Sequence, residues 1–120
     1  MVEFWGFSCA PCLRDHLPKL IRFADANKAL KDKLQVVSIC IDTTGEITNR
    51  KQFETALRQV EQHVWDGTKL NCPVLVDNTF KTWERYGLPG LGTLVLVDPD
   101  GNLVEGDLAT LQSILDEVDN

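Results

Sequence analysis

Phe4-Trp5-Gly6-Phe7-Ser8-Cys9-Ala10-Pro11-Cys12 places two cysteines three residues apart. Before them, Val2 to Trp5 is short and β-favouring, and it ends at Gly6. After them, Leu13, Leu17, Leu20, Ile21 and Ala24 recur at helical spacing and form one apolar stripe. Arg14, Asp15, Lys19, Arg22 and Asp25 fill the opposite side. The pair therefore sits where a strand turns into a helix. Cys9 falls at or near the helix N-terminus, where unpaired N–H groups and the positive end of the helix dipole favour a thiolate. Its pKa is expected below the free value of about 8.5. Cys12 lies one turn further on, close enough to close a disulfide. Pro11 is tolerated there because first-turn N–H groups have no helical partner. A low-pKa thiolate with a second thiol one turn away suits thiol–disulfide exchange, one thiol attacking and the other resolving the mixed disulfide.

Working outward, Pro18 interrupts the helical pattern and predicts a kink, because it removes one backbone hydrogen bond. Leu34 to Ile41 (LQVVSICI) reads as a buried strand, parallel to the first. Thr48 to Val64 is helical, with Phe53, Leu57, Val60 and Val64 on one side. Pro73 to Val76 reads as a short strand, and Phe80, Trp83 and Gly87 mark a short helix from about Asn78 to Tyr86. Leu88-Pro89-Gly90-Leu91-Gly92 is a loop. Thr93 to Val97 and Leu103 to Glu105 flank Asp98-Pro99-Asp100-Gly101, a hairpin turn with Pro at its second position and Gly for positive φ. Leu108, Leu111, Leu115 and Val118 stripe a last helix. The order β-α-β-α-β-α-β-β-α predicts an α/β fold. A mixed central sheet is flanked by helices and closed by a C-terminal hairpin and helix.

The chain has 120 residues, the size of one domain, so residues 1–120 are read as a single unit. Its start reads as a strand already under way, as in a domain excised from a longer chain. No basic region followed by an apolar run marks a signal peptide, and no apolar run is long enough to span a membrane. A net charge of −6 argues against nucleic acid as a partner, which would call for a basic face. Nothing in the pattern demands an oligomer, so a monomer is expected. Four cysteines are too few for a disulfide framework. Cys40, in a central strand, is read as an inert buried thiol. Cys72, at a strand start, is more accessible. A four-cysteine zinc site would need both to converge on Cys9 and Cys12, and no metal is expected.

Four blocks together resemble the thioredoxin superfamily, and most of all its TlpA/ResA-type thiol–disulfide oxidoreductases. They are V-E-F-W-x-x-x-C-x-x-C from Val2, V-V-S-I-C-I-D from Val36, C-P-V-L-V-D from Cys72 and Y-G-L-P-G-L-G-T-L-V-L-V-D-P-D-G-N-L-V from Tyr86. The resemblance covers essentially the whole chain. It implies a thioredoxin-like fold and catalytic exchange on protein thiols and disulfides, with a further redox partner to recharge the site. No cofactor beyond the redox-active Cys9–Cys12 disulfide is implied, and the parent protein is implied to work in the periplasm or elsewhere outside the cytoplasm. Cys9 matches the nucleophile and Cys12 the resolving cysteine. Glu3 matches the buried acid that accepts the resolving cysteine's proton. A carboxyl in a central strand is costly unless paired or neutral, so burial should raise its pKa. Asp15 matches a second acid of the TlpA/ResA group, although a solvated helix charge explains it equally simply. Trp5 matches a tryptophan flanking the site and also reads as plain core. Trp5, Ala10, Pro11, Leu91 and Gly92 are implied as substrate contacts. His16 and His63 read as surface residues.

The sequence departs from that group in four ways. Ser8 stands where a tryptophan usually precedes the first cysteine, and Pro18 falls one residue late. The group's N-terminal strand and hairpin have no counterpart here. Gly92 stands where a cis-proline precedes the threonine of the hairpin strand. A cis bond to a non-proline residue costs about 2.5–4 kcal/mol, so a trans Leu91–Gly92 bond and a reshaped loop are expected. The alternative is that Pro89 takes the proline's place. In the family the backbone at this loop pairs with the substrate, so Gly92 favours an alternative function, a binding module with weak turnover. A peroxidase of the peroxiredoxin (AhpC/TSA) kind is a further alternative. It would need a threonine where Gly6 stands.

Overall fold

Val2–Trp5 (β1) forms the middle strand of a five-stranded sheet. In the computed structural model, residues 1–30, 32–79, 81–87, 89–104 and 106–119 are described. The expectations for Phe80, Leu88 and Glu105, and for the side chain of Val118, lie outside them. On one side β1 pairs in parallel with Val37–Ile41 (β2), which pairs in parallel with Val74–Asp77 (β3). On the other side it pairs antiparallel with Thr93–Val97 (β4), which forms the hairpin with Leu103–Val104 (β5). The order is β3-β2-β1-β4-β5, the mixed sheet the sequence predicts.

Side chains of β1 alternate between two layers. Trp5 faces the larger core, built with Leu17–Ala26 (α1), Arg50–His63 (α2) and Leu108–Asp119 (α4). Phe4 faces the other layer with Ile39 and Ile41, under Lys81–Tyr86 (α3), where its ring lies 5.0 Å from that of Tyr86. The hairpin turn is as expected: Gly101 has φ +86° and its N–H donates to Asp98 O at 3.0 Å.

Two boundaries differ from the sequence reading. The second strand begins at Val37 rather than Leu34, because the Leu34 N–H is held by Leu30 O in the preceding turn and pairing with the first strand starts at Val37 N–H to Met1 O. The second helix begins at Arg50 rather than Thr48. Asn49 is extended and its side chain caps the helix, accepting from Gln52 N–H at 2.9 Å. Gln52 returns the favour by accepting from Thr48 N–H.

The expected kink takes the form of a π turn over Cys12–His16, directly before Pro18. There the Leu17 N–H reaches back five residues to Cys12 O. The next acceptor in that register is Leu13 O, and its donor would be Pro18, which has no N–H. Leu13 O instead accepts from the indole N–H of Trp65 at 2.6 Å. Trp65 is 7% exposed, so an unpaired carbonyl here would be costly. The extra residue in the turn rotates the following side chains, and this matters most for His16.

Candidate active site

Cys9 and Cys12 are joined as a disulfide, with Cα atoms 5.3 Å apart. They differ in access. Cys12 has no exposed surface, whereas Cys9 is half-buried beside the exposed Ala10 and Pro11. The Cys12 N–H donates to Cys9 Sγ at 3.2 Å. A first-turn N–H thus points at the sulfur that would carry a thiolate after reduction, which favours the charged form. Ser8, exposed, hydrogen-bonds Thr43 at 2.7 Å and ties the approach to Cys9 to the loop after β2.

Glu3 lies in the core layer, paired in register with Ser38 on one side and Leu94 on the other. It is 4% exposed, and its Oε1 has no hydrogen-bond partner among the described residues. Burial pushes its carboxyl up to about 8. A strand position that cannot face water without inverting the whole alternation of β1 makes this unavoidable.

Gly92 closes the site from the opposite loop. All described peptide bonds are trans, as the sequence predicts for Leu91–Gly92. Gly92 has φ +90°, its N–H donates to Phe4 O at 2.7 Å, and its carbonyl lies 3.2 Å from His16 Nδ1. A side chain there would be strained at this φ and would displace the ring: a Cβ would stand 2.7 Å from the His16 ring and 3.5 Å from Cys12 Sγ. Pro89 does not take over the proline's place, because it lies exposed while Gly92 is the residue against Cys12. Leu91 is half-buried and packs between the two cores.

His16 is the residue that sequence reasoning missed. Read as a surface histidine, it instead reaches into the site, 3.7 Å from Glu3 Oε1 and against Gly92, with its side chain 37% exposed. Helical spacing alone puts it one turn beyond Cys12. The signal that could have found it is the pair Pro18 and Gly92, one adding a residue to the turn and the other leaving room for a ring. Trp65, holding Leu13 O, was missed as well.

Trp5, expected as a substrate contact, instead belongs to the core: it has no exposed surface, its ring packs edge-on against Phe7 at 5.0 Å, and it offers a substrate nothing to touch. Asp15 is exposed and ion-paired with Lys19 at 3.1 Å, a solvated helix charge at the mouth of a cleft of about 290 Å³ that also reaches Glu3, His16 and Gly92. His63 is exposed at the end of α2, as read. Cys40 is fully buried, and burial followed by the nearby Asp42 charge pushes its thiol up to about 12, so it is inert. Cys72 is half-buried and its thiol is pushed up by burial. Among the described residues no three His, Cys, Asp or Glu side chains gather as a metal site requires.

A family model described as thioredoxin-like matches residues 1–103, from β1 through the first residue of β5. The chain belongs to the thioredoxin-like family. Among solved structures, StoA from Bacillus subtilis is similar, with 18% identity and a TM-score of 0.62. The match covers 93% of this chain and 78% of that one, and at this identity the likeness is one of fold. No curated protein matches the sequence. This thioredoxin-like domain thus carries a Cys-x-x-Cys disulfide in the expected strand-to-helix position, which supports a general redox function.

The peroxiredoxin alternative meets a steric obstacle. Gly6 holds the place that the threonine would need, and a Cβ there would lie 2.8 Å from Ile41 O, a backbone atom that cannot swing aside.

Proposed function

We propose that this domain catalyses dithiol–disulfide exchange on protein substrates. The observation that carries the reading is the asymmetry of the pair, an accessible Cys9 sulfur facing an N–H and a buried Cys12 in one cluster with Gly92, His16 and Glu3. In the reducing direction the Cys9 thiolate attacks a substrate disulfide. One substrate sulfur leaves as thiolate and the other stays bound to Cys9. Glu3, as carboxylate, takes the Cys12 proton. Cys12 then attacks Cys9 Sγ, the mixed disulfide breaks, and the second substrate thiolate leaves. Two electrons pass from the cysteine pair to the substrate, and an external dithiol restores them. With its carboxyl near 8, Glu3 is mostly protonated at neutral pH, and it is the carboxylate fraction, growing as pH rises, that accepts the thiol proton. The resemblance to TlpA/ResA-type proteins supports work outside the cytoplasm, with the domain acting as a monomer.

The second reading, a binding module with little turnover, is favoured by one observation: Gly92 spends both its N–H and its carbonyl inside the protein. Equilibration against a dithiol buffer, read by alkylation and mass spectrometry, tests the site. A reversible two-electron transition at Cys9 and Cys12, lost in Cys9→Ser, is the expected result, with multiple turnovers on a protein disulfide. A disulfide that forms but never turns over selects the binding module. The absence of any Cys9–Cys12 transition refutes both the exchange mechanism and the oxidoreductase reading.

A further inference from the structure

His16 joins three features that otherwise have no common explanation: a π turn, a glycine where a side chain is sterically barred, and a buried carboxyl oxygen without a partner. Its Nδ1 lies 3.2 Å from Gly92 O. A carbonyl can only accept, so Nδ1 carries the hydrogen, and in the neutral ring Nε2 is the free acceptor. That same Nδ1–H stands 3.7 Å from Glu3 Oε1. The Gly92 carbonyl therefore fixes the tautomer and holds Nδ1 near the carboxyl. A Cβ at position 92 would occupy the ring's space.

We propose that His16 is a positioning residue for the Glu3 proton, a partner whose charge decides how readily Glu3 becomes the base for Cys12. This rests on the proposed exchange mechanism for its consequence in catalysis, but the coupling itself does not need turnover. When the ring is protonated, the Glu3 carboxylate gains a cation within 4 Å at the cleft both groups line. When the ring is neutral, the carboxyl keeps its proton to higher pH. The other groups around them are few. Asp15 and Lys19 line the cleft and neutralise each other at 3.1 Å. Asp107, before α4, lines its far side and is engaged by Thr110. Cys72, before β3, is near enough to feel the Glu3 charge. Cys12 is tied up in the disulfide when the site is oxidised. β4 contributes Leu94 and the loop before it the backbone of Gly92, neither of them charged.

The test is a ¹³C NMR titration of the Glu3 carboxyl in the oxidised domain, with the His16 ring followed in parallel. In the wild type the Glu3 carboxyl should show two steps. An opposite charge at this range moves a carboxyl by roughly 1–3 units, and the part-exposed ring places the effect at the lower end. In His16→Gln, which keeps an N–H donor but no charge, Glu3 should titrate in one step with its midpoint about one unit higher. His16→Lys keeps a cation and should leave the midpoint at or below the wild-type value. The low-pH limb of the rate at which Cys12 resolves a preformed mixed disulfide should move with it, about tenfold slower in His16→Gln one unit below the midpoint. A single-step Glu3 titration in the wild type that His16→Gln leaves unmoved overturns the proposal, and so does an upward shift of equal size in both variants, which would report a structural disturbance. A domain that shows the coupling but does not exchange disulfides overturns the proposed function and leaves the coupling standing.

Discussion

Replacing Glu3 by Gln should change how stability depends on pH, and the change can be worked out from the structure. The folded carboxyl holds its proton to about 8, against 4.5 for the free group. Below 4.5 both states are protonated and Glu3 contributes no slope. Between 4.5 and about 8 the unfolded chain loses the proton while the folded one keeps it, so stability falls as pH rises. Each unit costs about 1.4 kcal/mol, so by pH 7 the loss is roughly 3 kcal/mol and by pH 8 roughly 4 kcal/mol. Above that the folded carboxyl ionises too and the contribution levels off. Asp42 and Asp77 have lowered pKa values and act only in acid, stabilising above the ordinary carboxylate range and losing that contribution below it. They do not confuse the window. Glu3→Gln removes the ionisation while keeping the shape. Urea unfolding of the oxidised domain at pH 5, 7 and 8.5 should show wild-type stability dropping by several kcal/mol relative to the variant. Parallel curves for the two proteins across that range would refute the assignment of Glu3 as a buried, protonated acid.

Gly92→Ala should destabilise the fold by about 2–3 kcal/mol, since a side chain at φ +90° is strained and its Cβ collides with His16; a chemical denaturation series checks it, and a loss under 0.5 kcal/mol would count against the contact. Trp65→Phe should lose about 1–3 kcal/mol by leaving Leu13 O without a donor, measurable in the same way. Asn49→Ala should cost about 1 kcal/mol through the lost cap on α2. In the reduced folded domain, a small alkylating agent should modify Cys9 first and leave Cys40 untouched until unfolding, with mass spectrometry reading the order.

Much of the chain was legible because local chemistry and tertiary placement agree. The apolar alternation of Val2–Trp5 and the helical stripe from Leu13 specify a strand-to-helix turn by themselves, and the two cysteines sit where that turn must expose an N-terminus. Glu3 was readable for the same reason: in a strand flanked on both sides, every position faces a core, and a carboxyl there has no way to water. The trans bond at Gly92 followed from covalent energetics alone.

His16 and Trp5 mark where that legibility ends. A helical spacing rule assumes 3.6 residues per turn, but Pro18 withholds a donor and the chain answers with a π turn, so the direction of His16 is set by a carbonyl that Trp65 captures from fifty-two residues away. Whether Trp5 bordered the site or filled the core depended on α2, whose Phe53 ring lies 6.3 Å from it and helps to shut it from solvent. The sequence alone determined the order of elements, the cysteine pair at the strand-to-helix turn and the misplaced carboxyl, because these follow from periodicity and from what one residue type costs at one position. Only the tertiary structure decided that His16 meets Glu3 beside Gly92, because the carbonyl that holds the ring lies 76 residues along the chain from it and the ring's space depends on a vacant Cβ that no local pattern records.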